Sequence, residues 1–397
     1  MALQPIAETA ARAPRAARFA LWDLGFRPFY LLASAFAALS ILLWAAQYAG
    51  WLPFAYLRSP AWHGSEMLFG YTLAVITGFL FTAGRNWTGQ PTPTGAVLAG
   101  YAALWVAGRI LVVTPFDTAA TWVNAAFPVA VAAGLAVPLV RSRNRRNYFF
   151  VALLVLLGAT ALALHLSYFG VIAWPERASL RVGLDIVLFI MAVMGGRVIP
   201  MFTNHGVPGA QARRHARVEQ AALGGVLLLA AADFAQAPSA VLAVLAGALA
   251  VVHAVRLWLW QPWRTLRSPL VWILHASYGW IVLHLALRAA SAAGWVPDPI
   301  AVHALTIGGI GGLTIGMMTR TAKGHTGRPL QADRRDVACY ALVMAAAIAR
   351  VAGAMLWPAG YVTTVVVASL AWAAAFLLYC AAYGLWLLRA RADGKPG

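Results

Sequence analysis

The sequence predicts an all-α integral membrane protein of twelve transmembrane helices, and three observations predict it. Of 397 residues, 62% are hydrophobic and 11% charged, against roughly 25% charged in a soluble domain. Apolar segments close to the ~20 residues that a span requires recur twelve times along the chain. With the N-terminus placed inside, 24 of the 30 Lys and Arg fall on inner loops and tails and 6 outside, the asymmetry that cytoplasmic loops carry. That asymmetry assigns both termini to the cytoplasm. It also accounts for the net charge of +18 with a lipid bilayer as the partner and no nucleic acid.

The elements follow in order. Residues 1–27 form a cytoplasmic tail holding Arg12, Arg15, Arg18 and Arg27. The apolar segments run 28–47, 64–83, 94–113, 119–140, 148–169, 180–200, 219–236, 238–257, 269–290, 300–318, 335–356 and 361–388. They make a single membrane domain over 28–388, and 389–397 is a second cytoplasmic tail. The first run is flanked by further runs, which reads as an anchor and not as a cleaved signal. The outer side keeps Arg58, Arg177, Arg181, Arg288 and Arg350, with Arg109 near the outer end of the third segment. No loop is long enough for a soluble domain. The two cysteines, Cys339 and Cys380, lie in apolar runs, and neither a CxxC zinc pattern nor a CxxCH attachment site for covalent c-type haem occurs.

An internal echo links segments 2 and 10. The second opens at Trp62-His63 and closes at Thr88-Gly89-Gln90-Pro91; the tenth opens at His303 and closes at Thr326-Gly327-Arg328-Pro329. Segment 6 closes more loosely, in Thr203-Asn204-His205-Gly206-Val207-Pro208. A spacing of four segments suggests three pseudo-repeats of four helices.

Ionisable groups inside a bilayer cost a few kcal/mol or more, so those present are candidates for function. The outer half holds His63, Glu66, His165, His284 and His303; the inner half holds His253 and His275, with His325 in an inner loop. His303 and Arg320 are 17 residues apart, about 26 Å of helix, close to one hydrocarbon thickness. His63 and His303 share a depth. If their helices face one another, they have the geometry of a haem iron held from both sides; the other reading is two unrelated interfacial histidines.

Glu66, at i+3 from His63, shares its face, and Met67 adds a sulfur at i+4. Glu66 needs a partner such as Arg109 or Arg350, which haem propionates would also want. His275 and His284 are nine residues apart on one helix and point to opposite faces, so they cannot serve one site. His275, flanked by Trp272 and Tyr278, suits a second metal or a quinone-like group, whereas His284 and His165 lie at the level of His303. Asp185 follows Arg181 by four, the spacing of a helical ion pair. Gly308, Gly312 and Gly316 repeat at four-residue spacing, either for close helix packing or, with Gly311 beside them, as a slot for a porphyrin edge.

The strings LGFRPFYLLA (24–33), WHGSEMLFGY (62–71), GFLFTAGRNWTGQP (78–91), GGRVIPMFT (195–203), WILHASYGW (272–280), HALTIG (303–308) and MMTRTAKGHTGRPL (317–330) resemble the NnrS family. The resemblance implies a multi-pass protein of the bacterial inner membrane that binds haem and copper and acts in the response to nitric oxide and nitrosative stress. It points at His63, Glu66, His275, His303 and His325, with Arg197 beside them; Ser65 stands where the family often has a second histidine. With no CxxCH, the haem expected is of b type. The electron donor stays open.

The chain is more distantly similar to the catalytic subunits of haem-copper oxidases and nitric oxide reductases, which hold a low-spin haem between helices 2 and 10. It departs from them at Leu305, where a second histidine would stand, and in lacking paired histidines on helix 7. An oxidase-type copper centre is therefore in doubt, and copper would need other ligands among His165, His275 and His284. A competing class is a proton-coupled secondary transporter using Glu66, Asp185 and Asp233, which predicts two repeats of six helices.

Overall fold

The computed structural model describes residues 18–52 and 60–395; Arg12, Arg15 and Arg58 lie outside the described residues. Every apolar segment of the sequence carries a helix: α1 Phe26–Tyr48, α2 Pro60–Thr88, α3 Gly95–Leu111, α4 Asp117–Arg141, α5 Phe149–Tyr168, α6 Glu176–Gly206, α7 Ala216–Phe234, α8 Ser239–Leu259, α9 Pro269–Ala292, α10 Asp298–His325, α11 Arg334–Leu356 and α12 Tyr361–Leu388. Among the described residues ten helices are long and apolar enough to cross a membrane, which makes this a multi-pass, helical protein of membrane type. Of the twelve, α3 falls short in length, with 17 residues, and α7, with 19, carries Arg217 and Glu219 in its first turn and Asp233 as its penultimate residue. Large apolar side chains such as Val244, Val251 and Leu356 are exposed on the outer helix faces, as a lipid-facing surface requires.

Neighbours in sequence pack side by side, and α12 closes the bundle against both α11 and α1. Arg27, fully buried, makes that closure specific. Its Nη1 donates to the carbonyls of Trp386, Leu387 and Arg389 at 3.4, 3.0 and 2.7 Å, satisfying acceptors that the end of α12 leaves without a helical partner. The start of α1 and the end of α12 therefore lie at one face of the bundle. His325 is there too, its ring 5.5 Å from that of Phe26.

The echo between segments 2 and 10 is structural. In α2 the backbone opens into a π-helical run over Glu66–Thr72, three residues after His63; in α10 it does so over Ala304–Gly311, directly after His303. Both helices close on a glycine with positive φ, 64° at Gly89 and 74° at Gly327, a conformation that glycine adopts without a Cβ penalty. The third member of the echo, α6, is α-helical throughout. Runs of π-helix are rare and collect at functional sites, and the two here flank one cavity.

The glycines of α10 serve packing. A Cβ on Gly308 would strike the ring of Trp280, one on Gly312 would meet Ser277, and one on Gly316 would lie 2.8 Å from Ile273. All three neighbours are on α9, so this glycine stripe is filled by an adjoining helix and leaves no slot for a porphyrin edge. Gly311 faces the other way, toward Trp372 of α12.

Candidate cofactor site

At the face opposite Arg27, helices α1, α2, α6, α10, α11 and α12 surround a cavity of about 340 Å³. His63 and His303 both line it. Their ring centres are 6.4 Å apart and their planes differ by 11°. A metal–imidazole bond is about 2 Å and the ring centre lies about 1 Å behind its nitrogen, so two rings gripping one ion from opposite sides have centres about 6 Å apart. A face-to-face van der Waals stack would be closer. The pair thus has the separation that a single metal between two histidines needs.

The imidazole of His303 has a defined tautomer. Its Nδ1 lies 2.6 Å from the carbonyl oxygen of Pro299, which can only accept, so Nδ1 carries the proton and Nε2 the free lone pair. Metal-ligating histidines are commonly fixed this way. His63 is placed by packing: its ring lies parallel to that of Trp44, at 4.9 Å and 11°. Met67, four residues on, also lines the cavity and receives a hydrogen bond from Ser40 at 3.7 Å. Between the two helices, Tyr71 Oη and Thr314 Oγ1 meet at 2.5 Å.

One wall of the cavity is cationic. Arg350 is buried; its Nη2 donates to Tyr361 Oη at 2.5 Å, whereas its Nη1 is buried without a hydrogen-bond partner. Arg177 and Arg181 line the same cavity, and Arg181 pairs with Asp298 at 2.5 Å. A buried cationic donor with nothing to bind is costly, and a carboxylate entering the cavity would satisfy it.

Other residues that the sequence singled out lie elsewhere. Glu66, which is buried, does not share the face of His63: it turns away from the cavity and pairs with Arg109 at 2.6 Å. Arg109 also binds Asn124 and does not line the cavity. Gly311 touches the cavity only through Trp372, whose ring forms part of its wall.

The remaining histidines are similarly dispersed. Buried His165 has no partner for its Nδ1. His275 meets Thr203 at 2.8 Å, and His284 donates from Nδ1 to the Ala301 carbonyl at 2.7 Å, so the two face different helices as expected. Arg197 holds Asn147 at 2.7 Å. His325 is separated from His303 by nearly the length of α10, about 33 Å at 1.5 Å per residue.

Asp185 does not pair with Arg181; it binds Arg288 of α9 at 2.7 Å, and Arg288 also reaches Asp233. Each of the three carboxylates that would suit a proton-coupled carrier, Glu66, Asp185 and Asp233, is thus held by an arginine. Among the described residues no group of three or more His, Cys, Asp and Glu comes together.

Sequence reasoning missed Trp44, Tyr361 and Trp372. Each is an aromatic residue in an apolar helix, which reads as belt or core. Asn124, an amide inside an apolar run, was a signal that could have been followed to Arg109.

Fold and cavity define a class: a multi-pass, all-helical protein of membrane type in which two histidines face one another across a cavity with an arginine wall. The family described as NnrS protein matches residues 20–391, nearly the whole chain, and the chain belongs to the NnrS family. No protein of curated function matches it.

Proposed function

We propose that this protein holds a b-type haem between His63 and His303 and acts in nitric oxide metabolism or in protection against nitrosative stress. The observation that carries the reading is the facing pair itself, 6.4 Å between ring centres with planes 11° apart. His303 presents the lone pair of Nε2 because Nδ1 is committed to Pro299. Arg350 offers its free Nη1 to a carboxylate such as a propionate. Trp44, Met67 and Trp372 line the cavity with apolar surface. Haem bound there would supply one-electron redox chemistry and an iron able to bind small molecules. The nitric oxide role follows from family membership.

In this reading α3 and α7 also cross the bilayer of the bacterial inner membrane, giving twelve spans arranged as three groups of four. Both termini are then cytoplasmic, and the cavity lies at the outer face. The arginines that cluster on the inner loops support that orientation.

The test is an absorption spectrum of the detergent-purified protein, oxidised, then reduced, then exposed to nitric oxide. A low-spin haem spectrum that changes with nitric oxide is expected, together with its disturbance by single substitutions at His63 and at His303. Protein without a Soret band, or a His303→Ala variant that keeps the full low-spin spectrum, overturns the proposal.

A further inference from the structure

The two facing histidines are held unequally. The first turn of α10 is fixed at three points, by Arg181 on Asp298 at 2.5 Å, by His284 on the Ala301 carbonyl at 2.7 Å and by the Nδ1 of His303 itself on Pro299 at 2.6 Å. Two of these contacts come from other helices, α6 and α9. His63 has nothing comparable: among the described residues its ring makes no hydrogen bond, and its rings in contact are Trp44 and, across the cavity, His303.

The distinction matters mechanically. A hydrogen bond to Nδ1 fixes the direction of the ring and raises the basicity of the other nitrogen. A parallel stack opposes tilting but lets the ring slide in its own plane. A metal–nitrogen bond lies in that plane, so the stack leaves free the direction in which such a bond would lengthen. Were both histidines to hold a haem iron, one of them would have to leave before a diatomic molecule could bind.

Building on the haem reading above, we infer that His303 is the permanent ligand and His63 the exchangeable one, sliding along Trp44 to open one side of the iron to a diatomic molecule. With haem held there, His63 would leave with its lone pair and a diatomic molecule would donate in its place, with no change of oxidation state.

The test mixes the reduced, haem-loaded full chain with carbon monoxide as the probe, followed optically by stopped flow. In the wild type the observed rate should level off as carbon monoxide increases, since departure of His63 becomes limiting. His63→Ala should retain haem, bind carbon monoxide at a rate linear in its concentration, and regain a low-spin spectrum with added imidazole. His303→Ala should lose haem during purification. Trp44→Phe, which does not depend on surviving loss of a ligand, should shift the plateau rate by about two- to tenfold, the change that an aromatic pair of ordinary strength corresponds to.

A haem-loaded wild type in which His303→Ala keeps haem and opens while His63→Ala loses it overturns the inference. So does equal loss of haem from the two variants, or a plateau unmoved in Trp44→Phe, and in each case the haem reading stands. A wild type without haem absorbance overturns both.

Discussion

Glu66, buried three residues beyond a histidine that faces the cavity, forms an ion pair of 2.6 Å with Arg109, whose side chain is 9% exposed. Removing one partner strands the other charge, so Glu66→Leu or Arg109→Leu alone should destabilise by about 3–5 kcal/mol, whereas the double change should cost much less than the sum. Thermal unfolding of the four proteins in one detergent reads this directly. Equal, additive losses would show that the pair is not coupled.

Gly308 and Gly311 separate two uses of glycine on one helix. At Gly308 an added methyl meets Trp280 between α9 and α10, and overpacking of that kind should destabilise by about 1–3 kcal/mol. At Gly311 it meets Trp372, which lines the cavity. Gly311→Ala should therefore also shift the Soret band of bound haem, and Gly308→Ala should not. Similar spectra for both variants would show that Trp372 is no sensitive part of the cavity wall.

The helices were legible because apolar length is a local property: each expected segment carries a helix, although α2, α6 and α10 run five to seven residues beyond their expected ends. The facing pair was legible through depth alone, since His63 and His303 each open a helix at the same end of the bundle. What failed was reasoning from i+3 and i+4 spacing. Glu66 was assigned to the face of His63 from its i+3 spacing, but its carboxylate pairs with Arg109 of α3 and is absent from the cavity lining. Arg181 and Asp185 have the spacing of a pair, yet each found a stronger partner on another helix. Which arginine meets which carboxylate depends on rotations of helices about their axes, and those are set by packing that no single segment encodes.

That exchange of partners has its own consequence. Arg288 is 3% exposed and serves two carboxylates, Asp185 and Asp233. The Arg181–Asp298 pair is far more open, with side chains 23% and 48% exposed. Arg288→Met should cost about 3–5 kcal/mol through two stranded buried carboxylates, and Arg181→Met under about 1 kcal/mol. Denaturation midpoints that fell equally in the two variants would contradict this arrangement.

Asp333 caps α11 reciprocally. Its carboxylate accepts from the N–H groups of Arg335 and Asp336 at 2.8 and 3.1 Å, and Asp336 accepts from the N–H of Asp333 at 2.9 Å. Partial burial pushes the Asp333 pKa up, but the Asp336 N–H, Lys323 and Arg335 outweigh it and hold the group below its ordinary value. A carboxyl whose folded pKa lies below its unfolded one contributes stability above the unfolded value, and the contribution disappears as the pH falls through the folded one. Asp333→Ala should therefore cost about 1 kcal/mol at neutral pH, and the gap to wild type should narrow once the pH drops below about 4. Asp333→Asn, which keeps an acceptor oxygen without the charge, should recover most of the lost stability at neutral pH and show a weaker pH dependence. A gap between wild type and Asp333→Ala that stays constant from neutral to acid pH would mean that the charge on Asp333 plays no part in holding α11.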